Sequence, residues 1–413
     1  MRAAAGRTPH ITVREATDVL VIGASAAGLS TVEALRRHGC TGTVTVIGAE
    51  THQPYDRPPL SKQVLAGSWL PERTQLRSAD VLSALDAEFV LGDPAVGLNA
   101  TNREVRTASG RTLRADAVVV ATGTRPRTLP GQAGLSGVHV LRTLDDALAI
   151  RAGLLGAARL VVVGDGVLGA EIAATARTMG PDVTVVGPQH ALMANQLGHG
   201  VGELLTELHI RRGVRPRLGS GVRELTGRAG TVTGVLLDDG ELLPADLVVV
   251  AIGAEPVTGW LHDSGLRVDN GLVCDSRCRA AEGVYAVGDV ARWHHEQLGG
   301  PLRLENRTNA SEQAMTVAAN ILGADRAYTP VPYFWTDQYD TKIQVHGVVP
   351  AGADAEMTVV DGDPATGRFV ARYRSAGAVT GVLGWNMPKQ TRLRRKDVAD
   401  ALAAGPVRTT APH

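Results

Sequence analysis

The residues of this chain that could do chemistry lie in a few short stretches. Two of these are glycine turns. VIGASAAGLS (21–30) holds Gly23 and Gly28, with Ser25 where a G-x-G-x-x-G pattern has its middle glycine. VVVGDGVLGAE (161–171) holds the full set, Gly164, Gly166 and Gly169. Such a turn, between a strand and a helix, aims backbone N–H groups and the positive end of the helix dipole at a pyrophosphate. Ser25 is small, and its hydroxyl can donate to phosphate. Glu50 stands about twenty residues past Gly28, where a carboxylate can take a ribose hydroxyl. The second turn lacks that acid: Gly187 stands there, followed by Pro188, Gln189 and His190. An acid there repels a 2′-phosphate and an Arg attracts one. With neither present, the choice between NADH and NADPH stays open. For each turn the competing reading is a tight connection without ligand.

A third stretch is PYDRPPLSK (54–62), in which two prolines stiffen the approach to Lys62, one of only four lysines. Composition alone also allows a surface loop. Lys62 gains a chemical role if Glu171, just after the second turn, faces it. A buried pair beside a flavin would tune hydride chemistry, although a plain ion pair has the same composition. Asp289, in VYAVGDVA, ends an apolar strand and would either cap the next helix or receive a cofactor hydroxyl. Cys274 and Cys278 lack the two further ligands of a zinc site, and His294 and His295, adjacent on a strand, would face opposite ways. No metal is expected. The run PKQTRLRRKD (388–397) carries Lys389, Arg392, Arg394, Arg395 and Lys396. It reads as a solvated helix face or as a docking surface for an acidic protein.

These groups need elements to position them. DVLVIG (18–23) reads as a buried parallel strand, followed by a helix ending at Gly39 and a second strand closing on Glu50. This is the start of a Rossmann unit. Residues 51–80 read as irregular, 88–98 and 103–113 as short strands. At Arg159 the strand–turn–helix–strand pattern restarts. ADLVVVAIGAEP (245–256) echoes ADAVVVATGTRP (115–126), so the repeat runs through the last strand of each unit. GVYAVGDVARW (283–293) reads as a strand ending in Gly-Asp, with a helix at about 308–322. Residues 331–413 change to short alternating segments and a basic helix, a small α+β domain. The expected fold is α/β, with two Rossmann-like dinucleotide-binding domains and that C-terminal domain. The expected division is 1–127 with 257–327, 128–256, and 328–413.

Bulk properties set bounds. The chain has 413 residues, enough for several domains, and a formal net charge of zero, so nothing global favours nucleic acid or a membrane surface. Its three cysteines cannot form a disulfide framework, and the opening residues lack an apolar leader, which together suggest a cytoplasmic setting.

Taken together, these motifs resemble the FAD-dependent NAD(P)H:ferredoxin reductases of the putidaredoxin reductase-like group, over about residues 17–400. The specific part of the resemblance is PYDRPPLSK and the E-x-x-x-N-A-x-x-Q run of 305–313. It implies a glutathione reductase-like pair of domains, with FAD on the first turn and NADH or NADPH on the second, leaning to NADH. It implies FAD contacts at Gly23, Ser25, Ala27, Gly28, Glu50 and Arg57. Further contacts would come from Lys62, Val96, Thr122, Gly123, Arg142, Asp289 and Arg307. The nicotinamide nucleotide would meet Gly164, Gly166, Leu168, Gly169 and Gly253. Lys62, Glu171 and Trp335 are the catalytic candidates it points to. Disulfide reductases of the same fold carry a redox Cys pair after the first turn or in the second domain; residues 51–80 and 131–256 contain no Cys. The resemblance therefore implies direct transfer to a small iron–sulfur ferredoxin serving a haem monooxygenase or a ring-hydroxylating dioxygenase. An NADH oxidase, or a redox-sensing flavoprotein of the apoptosis-inducing-factor type, are the alternatives.

Overall fold

Runs of β-branched residues make the parallel strands of two sheets, and the computed structural model describes residues 17–350 and 355–405. The opening residues read for a leader lie outside that range. In the first sheet, Val19–Ile22 sits between Val44–Gly48 and Ala117–Val120, paired in parallel with both. Glu88–Leu91 extends one edge, and Val284–Ala286 with Arg279–Ala281 extends the other, giving six strands. In the second sheet, Arg159–Val163 sits between Asp182–Gly187 and Leu247–Val250, with five strands in all. The repeated sequence is thus a repeated topology.

Each central strand feeds a helix through its glycine turn: Ala26–Arg37 in the first unit and Val167–Met179 in the second. The turns are too close for side chains. A Cβ on Gly28 would sit 1.8 Å from the Gly23 carbonyl, and one on Gly169 would sit 1.9 Å from that of Gly164. Close helix-on-strand packing accounts for these glycines. The chain leaves the first unit and returns to it along two paired antiparallel segments, Thr124–Pro126 and Ala254–Pro256.

Residues 51–80 are more ordered than their composition suggests. They hold a widened helical turn at Leu60–Val64 and short helical turns at Pro71–Thr74 and Ala79–Ser83. Tyr55, Leu60, Val64 and Leu65 are buried in a core shared with the second unit and with Phe369, Leu383 and Trp385. PYDRPPLSK is therefore not a surface loop. The expected single strand at 283–293 is also divided. Val284–Ala286 belongs to the first sheet, Gly288 turns at φ +73°, and Ala291–His295 joins a different sheet. His294 is exposed and His295 buried, as alternation along a strand requires.

The C-terminal part is an antiparallel sheet of five strands covered by the helix Pro388–Ala403. Its edge strand Tyr333–Gln338 packs toward the second unit. There Gln338 Oε1 accepts from Nε2 of His209, a fully buried residue of helix His199–Arg211, at 2.7 Å. Burial pushes this imidazole down to about 4, and does the same to His346 in the adjacent strand. Both rings are neutral in the folded protein at pH values where an unfolded His, titrating near 6.5, takes up a proton. Their contribution is intact above pH 6.5 and is lost progressively between 6.5 and about 4. The thermal midpoint should fall through that window, and less steeply in His209→Gln than in wild type. Parallel profiles for the two proteins would contradict this.

Candidate functional site

Two cavities open at the carboxyl ends of the two sheets. The first, of about 460 Å³, is lined by Gly23, Ser25 and Ala27 of the first turn, by Glu50, and by Thr122 and Gly123. Ser25 precedes the helix Ala26–Arg37 but makes no capping bond, so the helix N-terminus remains open to an anion. Its hydroxyl instead accepts from the guanidinium of Arg57. Arg57 also donates to Glu50 Oε1 at 2.7 Å and, through Nε, to the carbonyl of Arg142 at 3.2 Å. The other Glu50 oxygen accepts from the Tyr55 hydroxyl at 2.5 Å, and Tyr55 in turn receives the Leu144 N–H at 3.1 Å. Burial, more than its neighbours, raises the Tyr55 phenol above its usual range.

Arg142 crosses the cavity to Asp289, 3.4 Å away. Burial and then the like charge of Arg57 lower its guanidinium from the ordinary value. A bound diphosphate would offset both effects. The open helix N-terminus, the two guanidiniums and the strand-end carboxylate therefore fit a dinucleotide. Asp289 faces the cavity rather than capping a helix. The helix Arg307–Ile321 is capped by Asn306, whose side chain accepts from the Asn309 N–H at 2.7 Å. Arg307 lines the same cavity and donates to Asp56 at 3.0 Å.

The second cavity, of about 1330 Å³, runs over the second turn, lined by Gly166, Leu168 and Gly253, to the C-terminal sheet at Trp335. Gly166 precedes the helix Val167–Met179, again with no side-chain cap. The two cavities meet. Pro58, Arg142, Leu168, Glu171 and Arg307 line both. At this junction Lys62 Nζ lies 2.6 Å from Glu171 Oε2, with only 14% and 8% of the two side chains exposed. Ser61 donates to the same Glu171 oxygen at 2.6 Å, and Thr336 donates to Oε1 at 2.7 Å. Gln338 donates to Thr336 at 3.1 Å and accepts from His209, which carries the chain of bonds into the second unit. Trp335, next to Thr336 on the strand, stacks on Tyr333 with ring centres 5.9 Å apart.

The structure thus gathers most of the sequence-derived residues around one connected space. Four line neither cavity. Gly28, Gly164 and Gly169 pack the turns, and Val96 is 44% exposed, with Pro94 and Ala95 lining the cavity beside it. Ser61, Tyr55 and Thr336 were not singled out by sequence. Ser61 and Thr336 each lie beside a residue that was, but their partner Glu171 is far along the chain; Tyr55 joins Glu50, five residues away, to the distant Leu144. Cys274 and Cys278 are buried, carry thiols raised by burial (Cys278 to about 12), and line neither cavity.

Comparison with known proteins agrees with this architecture. The pyridine nucleotide-disulphide oxidoreductase model matches residues 17–314, and a reductase C-terminal model matches 333–413. The chain belongs to the pyridine nucleotide-disulphide oxidoreductase family. It is 35% identical to rhodocoxin reductase of Rhodococcus erythropolis, over 94% of this chain and 91% of that protein. It is 38% identical to the ferredoxin reductase component of chlorobenzene dioxygenase from a Cupriavidus strain, over 95% of each. The solved covalent putidaredoxin reductase–putidaredoxin complex superposes with a TM-score of 0.88 at 32% identity, covering 93% of each chain. Among the described residues, no helix is long and apolar enough to cross a membrane.

The clamp on Glu171 makes a direct prediction. Thr336→Val strips Oε1 of its donor in a buried site, which should cost about 1–3 kcal/mol of stability. Thr336→Ser should restore most of it. Equal thermal midpoints for the Val variant and wild type would show that the bond contributes nothing.

Proposed function

We propose that this chain is an FAD-dependent NAD(P)H:ferredoxin oxidoreductase. On this reading FAD occupies the first cavity, held by 1–127 with 257–327. The nicotinamide nucleotide occupies the second, on 128–256, and 328–413 closes the site. The observation that carries this is the junction of the two cavities at the Lys62–Glu171 pair, with no cysteine there to relay electrons. Bound there, FAD would take a hydride from the nicotinamide as a two-electron unit and release electrons singly.

The chain's own residues hold that chemistry in place. Arg57 and Arg142 face the diphosphate, and Glu50 a ribose hydroxyl. Lys62 keeps a positive charge at the junction, fixed in position by Glu171. Trp335 walls the side from which electrons would leave. The acceptor is a small iron–sulfur ferredoxin, and the downstream enzyme a ring-hydroxylating dioxygenase, in line with the name of the chlorobenzene dioxygenase component, or a haem monooxygenase. The three unpaired thiols support a cytoplasmic setting.

The basic helix offers a docking surface. Arg394 is held by Asp361 at 3.1 Å and Lys396 by Asp400 at 3.5 Å, but Lys389 and Arg392 are exposed and, among the described residues, without an ion-pair partner. The test is anaerobic stopped-flow mixing with NADH and NADPH, followed by an added [2Fe–2S] ferredoxin. Flavin reduction followed by stoichiometric ferredoxin reduction is expected; reduced flavin that passes no electrons to ferredoxin, with rapid oxygen uptake when the mixing is repeated in air, would exclude this function. Lys62→Met should slow flavin reduction, and normal rates would remove Lys62 from the chemistry. Lys389→Glu with Arg392→Glu should raise KM for ferredoxin at low salt and leave flavin reduction alone, the difference shrinking as salt screens the charges.

A further inference from the structure

We infer that Asp165 supplies, from within the second glycine turn, the negative charge that the end of the neighbouring strand lacks, and so makes the protein select NADH over NADPH. The inference rests on reading the second cavity as the nicotinamide nucleotide site. In dinucleotide-binding units, an acid at the end of the second strand takes the ribose 2′-hydroxyl, and its charge repels a 2′-phosphate. Here that strand ends on Gly187.

The geometry shows where the carboxylate has gone. A Cβ built on Gly187 would lie 2.2 Å from both the carboxyl carbon and Oδ2 of Asp165. The Asp165 side chain therefore fills the space that a side chain at 187 would enter. It comes from between Gly164 and Gly166, and Gly166 lines the cavity. An acid at 187 and the present rotamer of Asp165 exclude each other, so the glycine and the aspartate belong to one arrangement.

The carboxylate is fixed rather than mobile. Oδ2 accepts from the Gln189 backbone N–H and Oδ1 from its side-chain amide, both at 2.7 Å. The Gln189 amide oxygen is held in turn by the Asn195 N–H at 2.7 Å. Asp165 is only 5% exposed, so its charge acts through a medium that screens poorly. A second carboxylate lies near the strand end. Asp238 Oδ2 lies 2.3 Å from a Cβ position on Gly221, and Ser220 beside it donates to the Gly187 carbonyl at 3.3 Å. The nearest arginine on the adjoining strand, Arg217, is engaged by Glu241 at 3.2 Å.

The test uses the full-length FAD holoprotein and two readouts. Calorimetry gives the affinities for NAD⁺ and NADP⁺, and stopped flow gives flavin reduction by NADH and NADPH. Wild type should favour the unphosphorylated nucleotide by more than about tenfold, equivalent to about 1.4 kcal/mol. Asp165→Asn should reduce that ratio at least about tenfold, chiefly by tighter NADP⁺ binding. The swap Asp165→Gly with Gly187→Glu, which returns the acid to the strand end, should restore it. A merely structural Asp165 would weaken both nucleotides alike and leave the ratio unmoved, which would overturn the inference, as would wild-type preference for NADP⁺. If Asp165→Asn does not fold, the swap decides: a retained NAD⁺ preference supports the exchange of carboxylates, and its loss refutes it. If neither nicotinamide reduces the flavin, the proposed function fails, while the calorimetric ratio still judges Asp165.

Discussion

Lys62 and Glu171 meet at 2.6 Å in a largely buried position, and each arrives from a different part of the chain. Lys62 is carried by the widened helical turn Leu60–Val64, Glu171 by the first turns of the helix Val167–Met179. A third part, the C-terminal sheet, adds the Thr336 hydroxyl. Taking two charges out of water is expensive, and a well-packed apolar pair of similar size is often as stable. The pair is therefore poorly explained as a stabilising device. It is better explained as a fixed charge at the place where two ligand cavities join. Once that charge is required there, the surrounding contacts follow: Ser61 and Thr336 satisfy the carboxylate, and the stiff Pro58–Pro59 approach keeps Lys62 in register.

The first cavity depends on a second electrostatic constraint. Burial, and then the like charge of the neighbouring Arg57, lower the Arg142 guanidinium. Arg57 donates to both Ser25 and Glu50. The departure from the glycine pattern at Ser25 is thus part of the cavity's hydrogen bonding. Tyr55 extends the same set to the N-terminus of the helix Leu144–Leu154, joining the strand-end acid of one unit to the other unit.

The parts of this structure that were legible in the sequence are those written in local spacing. The paired glycine turns, the apolar strand runs and the repeated last strand each report on a few consecutive residues, and together they define the two Rossmann-like units. The Lys62–Glu171 pair could be stated only as a condition, because its members are far apart and their meeting depends on how two units pack. Thr336 was invisible for the same reason, as was the contact of Tyr55 with Leu144. Composition left the 54–62 segment open: prolines, Asp and Arg also allow a surface loop, yet Tyr55 and Leu60 anchor a shared core. Asp165 was hidden differently. Its position in the turn was plain, but the direction of its side chain, toward Gly187 and away from solvent, is a three-dimensional fact.

The most direct measurement is a crystal structure of the FAD-loaded protein with NAD⁺ bound. The account requires the flavin and nicotinamide rings to face each other at the junction of the two cavities, with Lys62 Nζ at the flavin's edge and Glu171 still holding it. A nicotinamide ring bound away from Glu171, or a flavin ring turned away from Lys62, would contradict it.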